Sequence, residues 1–415
     1  MLEAVRNALW GMPLIGLLLS FGGYFTLKTR FIPLRLPMIL KRTVGNLPKG
    51  KTNRRALLQA VSTALGGTVG IGSITGVAYG IAIGGAGSVF WMWISGLGGM
   101  ALKYAEVFLA VKHRKRTENG FVGGAPYILS DLGYRKTAVC FALLCVTASF
   151  GVGNLTQIGA LSETVSVLGV SPWVCGGVCG VLLAYCLWGG RERIGRWNGV
   201  LVPAASALYV SAMGWILLTH LPAVPNAFSQ ILQGALGIRP LAGGVSGTLI
   251  AASMREGFAR GVFSNEAGVG SSPLAHAASG EGDPVKQGEW GVFEIFADTF
   301  LVSTLTALAL LVTGCGSMTE VLAPLFFGNG VWVFALLSAV FAFSSILSWC
   351  YYSRVCLQFL ALPWGETAYC LCSVLCAAVG ALVPLSSLLT LADILGGLMI
   401  FPNLFLLFKL RHQVR

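Results

Sequence analysis

The sequence predicts an all-α polytopic membrane protein, a helical bundle of about eleven spans. Three observations carry that prediction. Hydrophobic residues make up 55% of the chain and charged residues 11%, about half the share of charge in a soluble domain. The apolar residues gather into eleven long segments with short polar stretches between them, each near the length a bilayer requires. Glycine is abundant, at 55 residues; soluble helices avoid it, and membrane helices use it for close packing and deliberate breaks.

The segments run over 9–27, 56–83, 88–112, 137–168, 172–188, 198–218, 246–279, 288–314, 330–360, 366–383 and 385–410. The first ends in a basic loop without a small-residue cleavage site, so it reads as a retained span and not a signal peptide. The formal net charge of +12 would suggest nucleic acid in a soluble chain. Here the basic residues lie between segments and read as a topology signal, with the lipid bilayer as partner and no nucleic acid. Lys28, Arg30, Arg35, Lys41, Arg42, Lys49, Lys51, Arg54 and Arg55 follow the first segment. Arg114, Lys115, Arg116, Arg135 and Lys136 follow the third, Arg191, Arg193 and Arg196 the fifth, and Lys409, Arg411 and Arg415 the last. With eleven spans these four groups share one side, and the other side has little beyond Arg6 and Arg239. The positive-inside rule then puts the amino terminus outside and the carboxyl terminus in the cytoplasm, in a plasma membrane (the inner membrane of a bacterium). Residues 226–236 read as an amphipathic helix on the outer surface. The eleven cysteines form no framework; Cys140, Cys145, Cys175, Cys179, Cys370, Cys372 and Cys376 lie in apolar runs and read as small buried hydrophobes.

Two segments differ from the rest. The second contains Gly66-Gly67-Thr68-Val69-Gly70-Ile71-Gly72-Ser73, and the seventh contains Gly261 to Pro273 with Asn265 and Glu266. Each carries a Gly-x-Gly-Ser core, Gly70 to Ser73 and Gly268 to Ser271, and each opens a set of five segments. Five is odd, so two consecutive sets are inverted relative to each other across the membrane. The implied organisation is an added span with its basic loop (1–55), a first five-helix repeat (56–220), an outer loop (221–247), a second repeat (248–410) and a tail (411–415). Glycine-rich helices can pack tightly without unwinding, but matched interruptions in corresponding repeat positions point to a transporter's central site.

Unwinding a helix midway frees backbone groups where no water can satisfy them. An amino-acid zwitterion supplies both kinds of partner. Its carboxylate suits free N–H groups at Gly70, Ile71 and Gly72, at the positive end of a half-helix, and its ammonium suits carbonyls from Phe263 through Asn265 to Ala267. Asn154 and Gln157 share a helix face directed at the cavity. Serines at 344, 345 and 348 offer hydroxyls, or bond their own helix. Among ionisable residues, Lys103 and Glu106 form an i, i+3 pair. Glu294 and Asp298 stand four apart with like charge, so that one is protonated or lies near the inner surface. Arg255, Glu256 and Arg260 line an aqueous vestibule. Glu266 either binds a proton or substrate, or accepts hydrogen bonds from loose amides. His276 and Asp393 stay unassigned. No HExxH, CxxC-type or Walker motif is present, so no catalytic residue, cofactor or enzyme activity is expected.

These residues resemble the alanine/glycine:cation symporter family. The resemblance rests on Gly67-Thr68-Val69-Gly70, Phe90-Trp91-Met92-Trp93, Lys103-Tyr104-Ala105-Glu106, Gly123-Gly124-Ala125-Pro126-Tyr127 and above all Ala259 to Gly268, with Ala275-His276-Ala277-Ala278, Asp298-Thr299, Phe341-Ala342-Phe343-Ser344, Trp349 and Pro402-Asn403 beyond it. It covers almost the whole chain. It implies a LeuT-like 5+5 inverted-repeat fold and sodium-coupled import of small neutral amino acids by alternating access. It also implies Na+ ligands at the carbonyls of Gly66 and Val69 and the hydroxyls of Ser344 and Ser345, a substrate between the first break and Phe263–Gly268, and Trp349 closing the pocket. The family's usual Val-Gly-Thr-Gly-Asn reads here Val69-Gly70-Ile71-Gly72-Ser73, which costs a hydroxyl and shortens an amide. A proton-coupled or exchanging carrier of the same fold, or a non-transporting amino-acid sensor, are the alternatives.

Overall fold

The computed structural model describes residues 1–45, 50–118, 120–237 and 246–415. Lys49 and Arg239 of the charge pattern lie outside them. Among the described residues the regular structure is helical apart from one short hairpin, β1 (Lys115–Thr117) with β2 (Gly120–Val122), antiparallel with Lys115 opposite Val122.

Every apolar segment contains helix. We label these α1 (Leu2–Lys28), α2 (Lys51–Thr68), α3 (Thr75–Gly84), α4 (Gly87–Lys112), α5 (Arg135–Ser166), α6 (Pro172–Leu187), α7 (Gly190–Thr219), α8 (Val224–Leu236), α9 (Ser246–Asn265), α10 (Pro284–Thr313), α11 (Gly330–Leu360), α12 (Gly365–Gly380) and α13 (Leu385–Leu410). Among the described residues seven helices are long and apolar enough to cross a membrane, and α2 with α3, bent by 49°, makes an eighth if taken as one span. The apolar helices α6 and α12 have 16 residues each and pack against each other. Segment 246–279 is not one long helix: α9 stops at Asn265, and only a four-residue turn, Pro273–His276, follows.

Local chemistry explains the boundaries. Ser171 and Asp283 cap α6 and α10, accepting from the amides of Val174 and Val285, and each precedes a proline at the first helical position. The helix α8 buries Ala227, Ile231 and Ala235, one face at four-residue spacing, and lays it on α4. Buried along most of its length, α4 is the central post against which α9 and α10 pack. Outward-facing Trp173, Val181, Val200, Trp215, Trp332 and Leu375 are exposed, an apolar surface suited to lipid. Cys140 and Cys372 belong to that surface and are not buried.

Candidate functional site

The first break separates α2 from α3. After Thr68 the chain is extended at Val69 (φ −77°, ψ 90°) and Gly70 (φ −146°, ψ −156°), then makes a single 3₁₀ turn, Ile71–Ser73. The amides of Gly70, Ile71 and Gly72 have no protein acceptor among the described residues. They gather at the start of α3, where the helix dipole is positive. Close approach explains the glycines. A Cβ at Gly70 would run into the Ser345 hydroxyl, and one at Gly72 would stand 3.0 Å from the Phe263 ring and 3.5 Å from the Ser264 Cα.

The second break follows Asn265. Glu266 takes φ 53°, and Gly268 and Gly270 take φ 86° and 79°, left-handed geometry that favours glycine. The carbonyls of Phe263, Ser264 and Asn265 accept no backbone or side-chain hydrogen bond among the described residues. Side chains hold this loop. Asn265 Oδ1 accepts from the Ala267 amide at 3.0 Å. Asn403 donates to the Gly268 carbonyl at 2.9 Å and to Glu106 at 2.5 Å. Ser271 donates to Glu266 Oε2 at 2.6 Å, so Glu266 is satisfied by a hydroxyl and not by loose amides, while its Oε1 is buried without a partner. Ala267 packs on Gly99 of α4.

The breaks meet where Gly72 abuts Phe263 and Ser264. Phe263 also lines a cavity of about 20 Å³ with Trp349, Val152, Glu266, Trp10 and Asp393. That volume holds about one water and is too small for an amino acid. The Trp349 ring rests on Gly153, where a side chain would not fit, and its indole N–H is buried without a partner.

The polar candidates divide. Gln157 Oε1 has no partner and lies 3.6 Å from where a Gly70 Cβ would be, beside the first break. Asn154 is not directed at the cavity: its amide donates to the Ser373 carbonyl of α12 at 2.8 Å. Ser345 donates to the Gly66 carbonyl at 2.8 Å, joining α11 to α2. Ser344 donates to its own helix at Phe341, 2.9 Å. Val69 is buried.

The ionisable residues pair differently from their sequence spacing. Lys103 turns from Glu106 to Glu294 (3.3 Å) and Ser272 (2.7 Å), and His276 Nε2 donates to the Glu294 carboxylate at 3.0 Å. Glu256 and Arg260 line no open vestibule. Both are buried, and Arg6 reaches in from α1 to bond Glu256 (2.7 Å) and Asp393 (2.6 Å), with Arg260 also on Asp393. Asp298 bonds hydroxyls of Ser73, in the first break, and Ser264, in the last turn before the second. Sequence reasoning missed this convergence, and also Trp10, whose indole donates to the Asp393 carbonyl at 3.0 Å. The signal for Ser73 was its place directly after the Gly-x-Gly core. Nothing in the spacing marked Arg6 or Trp10.

Known proteins identify the family. The sodium:alanine symporter family profile matches residues 1–415. The sodium/alanine symporter AgcS of Methanococcus maripaludis is 34% identical, over 97% of this chain and 93% of its own. The probable sodium/glutamine symporter GlnT of Bacillus subtilis is 32% identical, over 99% and 87%. Among solved structures, a manganese transporter of Eremococcus coleocola superposes with TM-score 0.49 and 16% identity, covering 88% of this chain and 79% of that one. With a family match from end to end and relatives above 30% identity along nearly their whole length, the chain belongs to the sodium:alanine symporter family, cation-coupled amino-acid transporters and not enzymes.

Proposed function

We propose that the protein imports a small neutral amino acid, alanine or glycine in size, together with Na+ by alternating access. The bundle is read as two inverted five-helix repeats of LeuT-like form plus an added first span. Eleven crossings leave the amino terminus outside and the carboxyl terminus in the cytoplasm. One observation carries this proposal. Three unpartnered amides at the first break abut, through Gly72, a second break with three unpartnered carbonyls. A zwitterion is the ligand that answers both, with its carboxylate on Gly70–Gly72 and its ammonium toward Phe263–Asn265. Gln157 would add a polar contact, and Phe263 and Trp349 would limit side-chain size. The family's cation coupling and the names of the relatives support Na+ as the ion.

For Na+ the oxygens of Gly66, Val69, Ser344 and Ser345 join α2 to α11, supported by the existing Ser345–Gly66 bond. Ser344 would release its Phe341 carbonyl to take part. Because these oxygens lie on the helix whose end forms the first break, ion binding would order the amides that receive the carboxylate. The test is uptake of radiolabelled alanine into proteoliposomes. An inward Na+ gradient should drive accumulation, and replacing it with K+ or with a proton gradient alone should not. Equal accumulation without Na+ would refute sodium coupling.

A further inference from the structure

The chain after α1 is tied down and does not run out into a free loop. Arg30 (φ 54°) and Phe31 (φ 57°) take left-handed backbone geometry, which residues with a side chain rarely adopt. Their amides return to the carbonyls of Leu27 (3.0 Å) and Thr26 (2.7 Å) at the end of α1. A 3₁₀ turn, Ile32–Arg35, and a short helix, Leu36–Gly45, follow. Ile32 and Ile39 are buried, and the two pieces pack on α4 and α10 respectively.

This arrangement encloses a cavity of about 600 Å³ against Tyr104 of α4 and the first turns of α10, a size usual for small-ligand sites. Lys28, Arg30, Arg35 and Arg42 line it, with Glu289 opposite. Arg42 is paired with Glu289 at 3.0 Å. Among the described residues Lys28, Arg30 and Arg35 have no carboxylate within ion-pair distance. Arg415 also faces the cavity, where its carbonyl accepts from the Tyr104 hydroxyl at 3.2 Å. Like charges gathered around one concavity repel each other. A topology signal needs cations in the loop, not around a pocket. The margin of the cavity is apolar. Met38, half exposed, lines it, and Phe31 and Leu34, next to the basic residues in sequence, are exposed, Leu34 by 80%. The segment therefore has one apolar face on the protein and another directed outward, at the end of a span long enough to cross the bilayer. That is the setting of an interfacial helix.

We infer that this cavity binds the phosphodiester headgroup of an anionic phospholipid, with its acyl chains over Phe31, Leu34 and Met38. Guanidinium groups at Arg30 and Arg35 match phosphate oxygens in paired hydrogen bonds, and Lys28 adds a point charge. Basic pockets between spans at a membrane surface suit such headgroups. Free phosphate offers the same charge but gains nothing from the apolar margin. Bound there, the lipid bridges α1, residues 32–45 and α10, and so fastens the added span to the bundle. The inference uses neither the sodium ligands nor the substrate site.

The test is thermal melting of the purified full chain in detergent micelles at fixed ionic strength. The chain is titrated with dioleoylphosphatidylglycerol, with phosphatidylcholine of the same acyl chains, and with inorganic phosphate. Phosphatidylglycerol should raise the melting temperature with a saturable midpoint, and the other two should not. Arg30→Gln with Arg35→Gln should raise that midpoint roughly thirtyfold, the effect of two cations near a membrane surface. Arg35→Gln alone, which serves where the double variant fails to fold, should raise it roughly fivefold. Arg116→Gln with Lys136→Gln removes the same charge from exposed residues outside the cavity and should leave the midpoint in place. An equal shift in that control would reduce the effect to net charge. An equal rise with phosphatidylcholine would remove headgroup recognition, and an equal rise with phosphate would make this a soluble-anion site. Each of these results would overturn the proposal.

Discussion

The two breaks solve the same problem in opposite ways. The first is four or five residues of small or apolar side chains, and neighbouring groups press on its backbone: Ser345 against Gly70, Phe263 against Gly72. It leaves N–H groups free. The second spans residues 266–272, uses left-handed geometry at three positions, and is fastened by Asn403, Asn265 and the Ser271–Glu266 bond. It leaves carbonyls free. The first break is held by packing along its glycines and by buried hydrogen bonds only at its end, through Ser73, whereas bonds fasten the second along its length, and a stretch fastened by buried hydrogen bonds resists rearrangement more strongly. The difference assigns the first break the adaptable role and the second the fixed frame against which it closes.

Changes at the first break should have the largest effect. Gly72→Val places branched carbons where the Phe263 ring lies 3.0 Å away, and it should abolish alanine uptake while leaving membrane insertion and the gel-filtration profile unchanged. Residual uptake near wild type would mean that Phe263 yields and the contact is incidental. Next comes the ion proposed to tie the first break to α11. Ser344→Ala with Ser345→Ala should raise the Na+ concentration for half-maximal uptake about a hundredfold or more, since each of the two lost ligands of a charged partner weakens binding by about 1.5–3 kcal/mol. An unmoved sodium curve would remove those hydroxyls from the site. At the second break, Asn403→Ala should act on stability. It leaves the Gly268 carbonyl and one Glu106 oxygen without a donor, at about 1–3 kcal/mol, visible as a lowered melting temperature in detergent. A change confined to uptake, with melting unmoved, would reverse the roles given to the two breaks. The smallest perturbation is a probe of orientation. In a background without accessible native cysteines, Cys140 and Cys372 included, Asn226→Cys should react with an impermeant thiol reagent from outside and Glu118→Cys should not; the opposite pattern would invert the proposed topology.

Much of this was legible in the sequence because membrane helices are written in composition. Long apolar runs and matched Gly-x-Gly-Ser cores located the helices and both interruptions, although the first and sixth segments begin seven and eight residues after their helices and the seventh runs well past the end of its helix. Spacing along one helix could not tell which neighbour an ionisable side chain would choose. Lys103 and Glu106 are neighbours on α4, yet Lys103 faces α10 and Glu106 faces α13, because helix packing at buried positions outweighs an i, i+3 contact worth a few tenths of a kcal/mol. Asn154 was misplaced for a related reason: it sits on a π-helical turn, Gly151–Leu155, and the extra residue rotates its side chain away from the face that a regular helix would give it. Arg6 and Trp10, at the start of the added span, reach Asp393 across 387 and 383 residues of chain, and no local pattern reports a partner that distant.

The central claim is that the free amides of the first break receive a carboxylate while the second break receives an ammonium. Competition against radiolabelled alanine, measured on the purified protein with saturating Na+, tests it most directly. Alanine should displace the label, whereas propionate, which lacks the ammonium, and alaninamide, which lacks the carboxylate, should each fail at a hundredfold higher concentration. Displacement by alaninamide as effective as by alanine would contradict the account, because no carboxylate would then be needed at Gly70–Gly72.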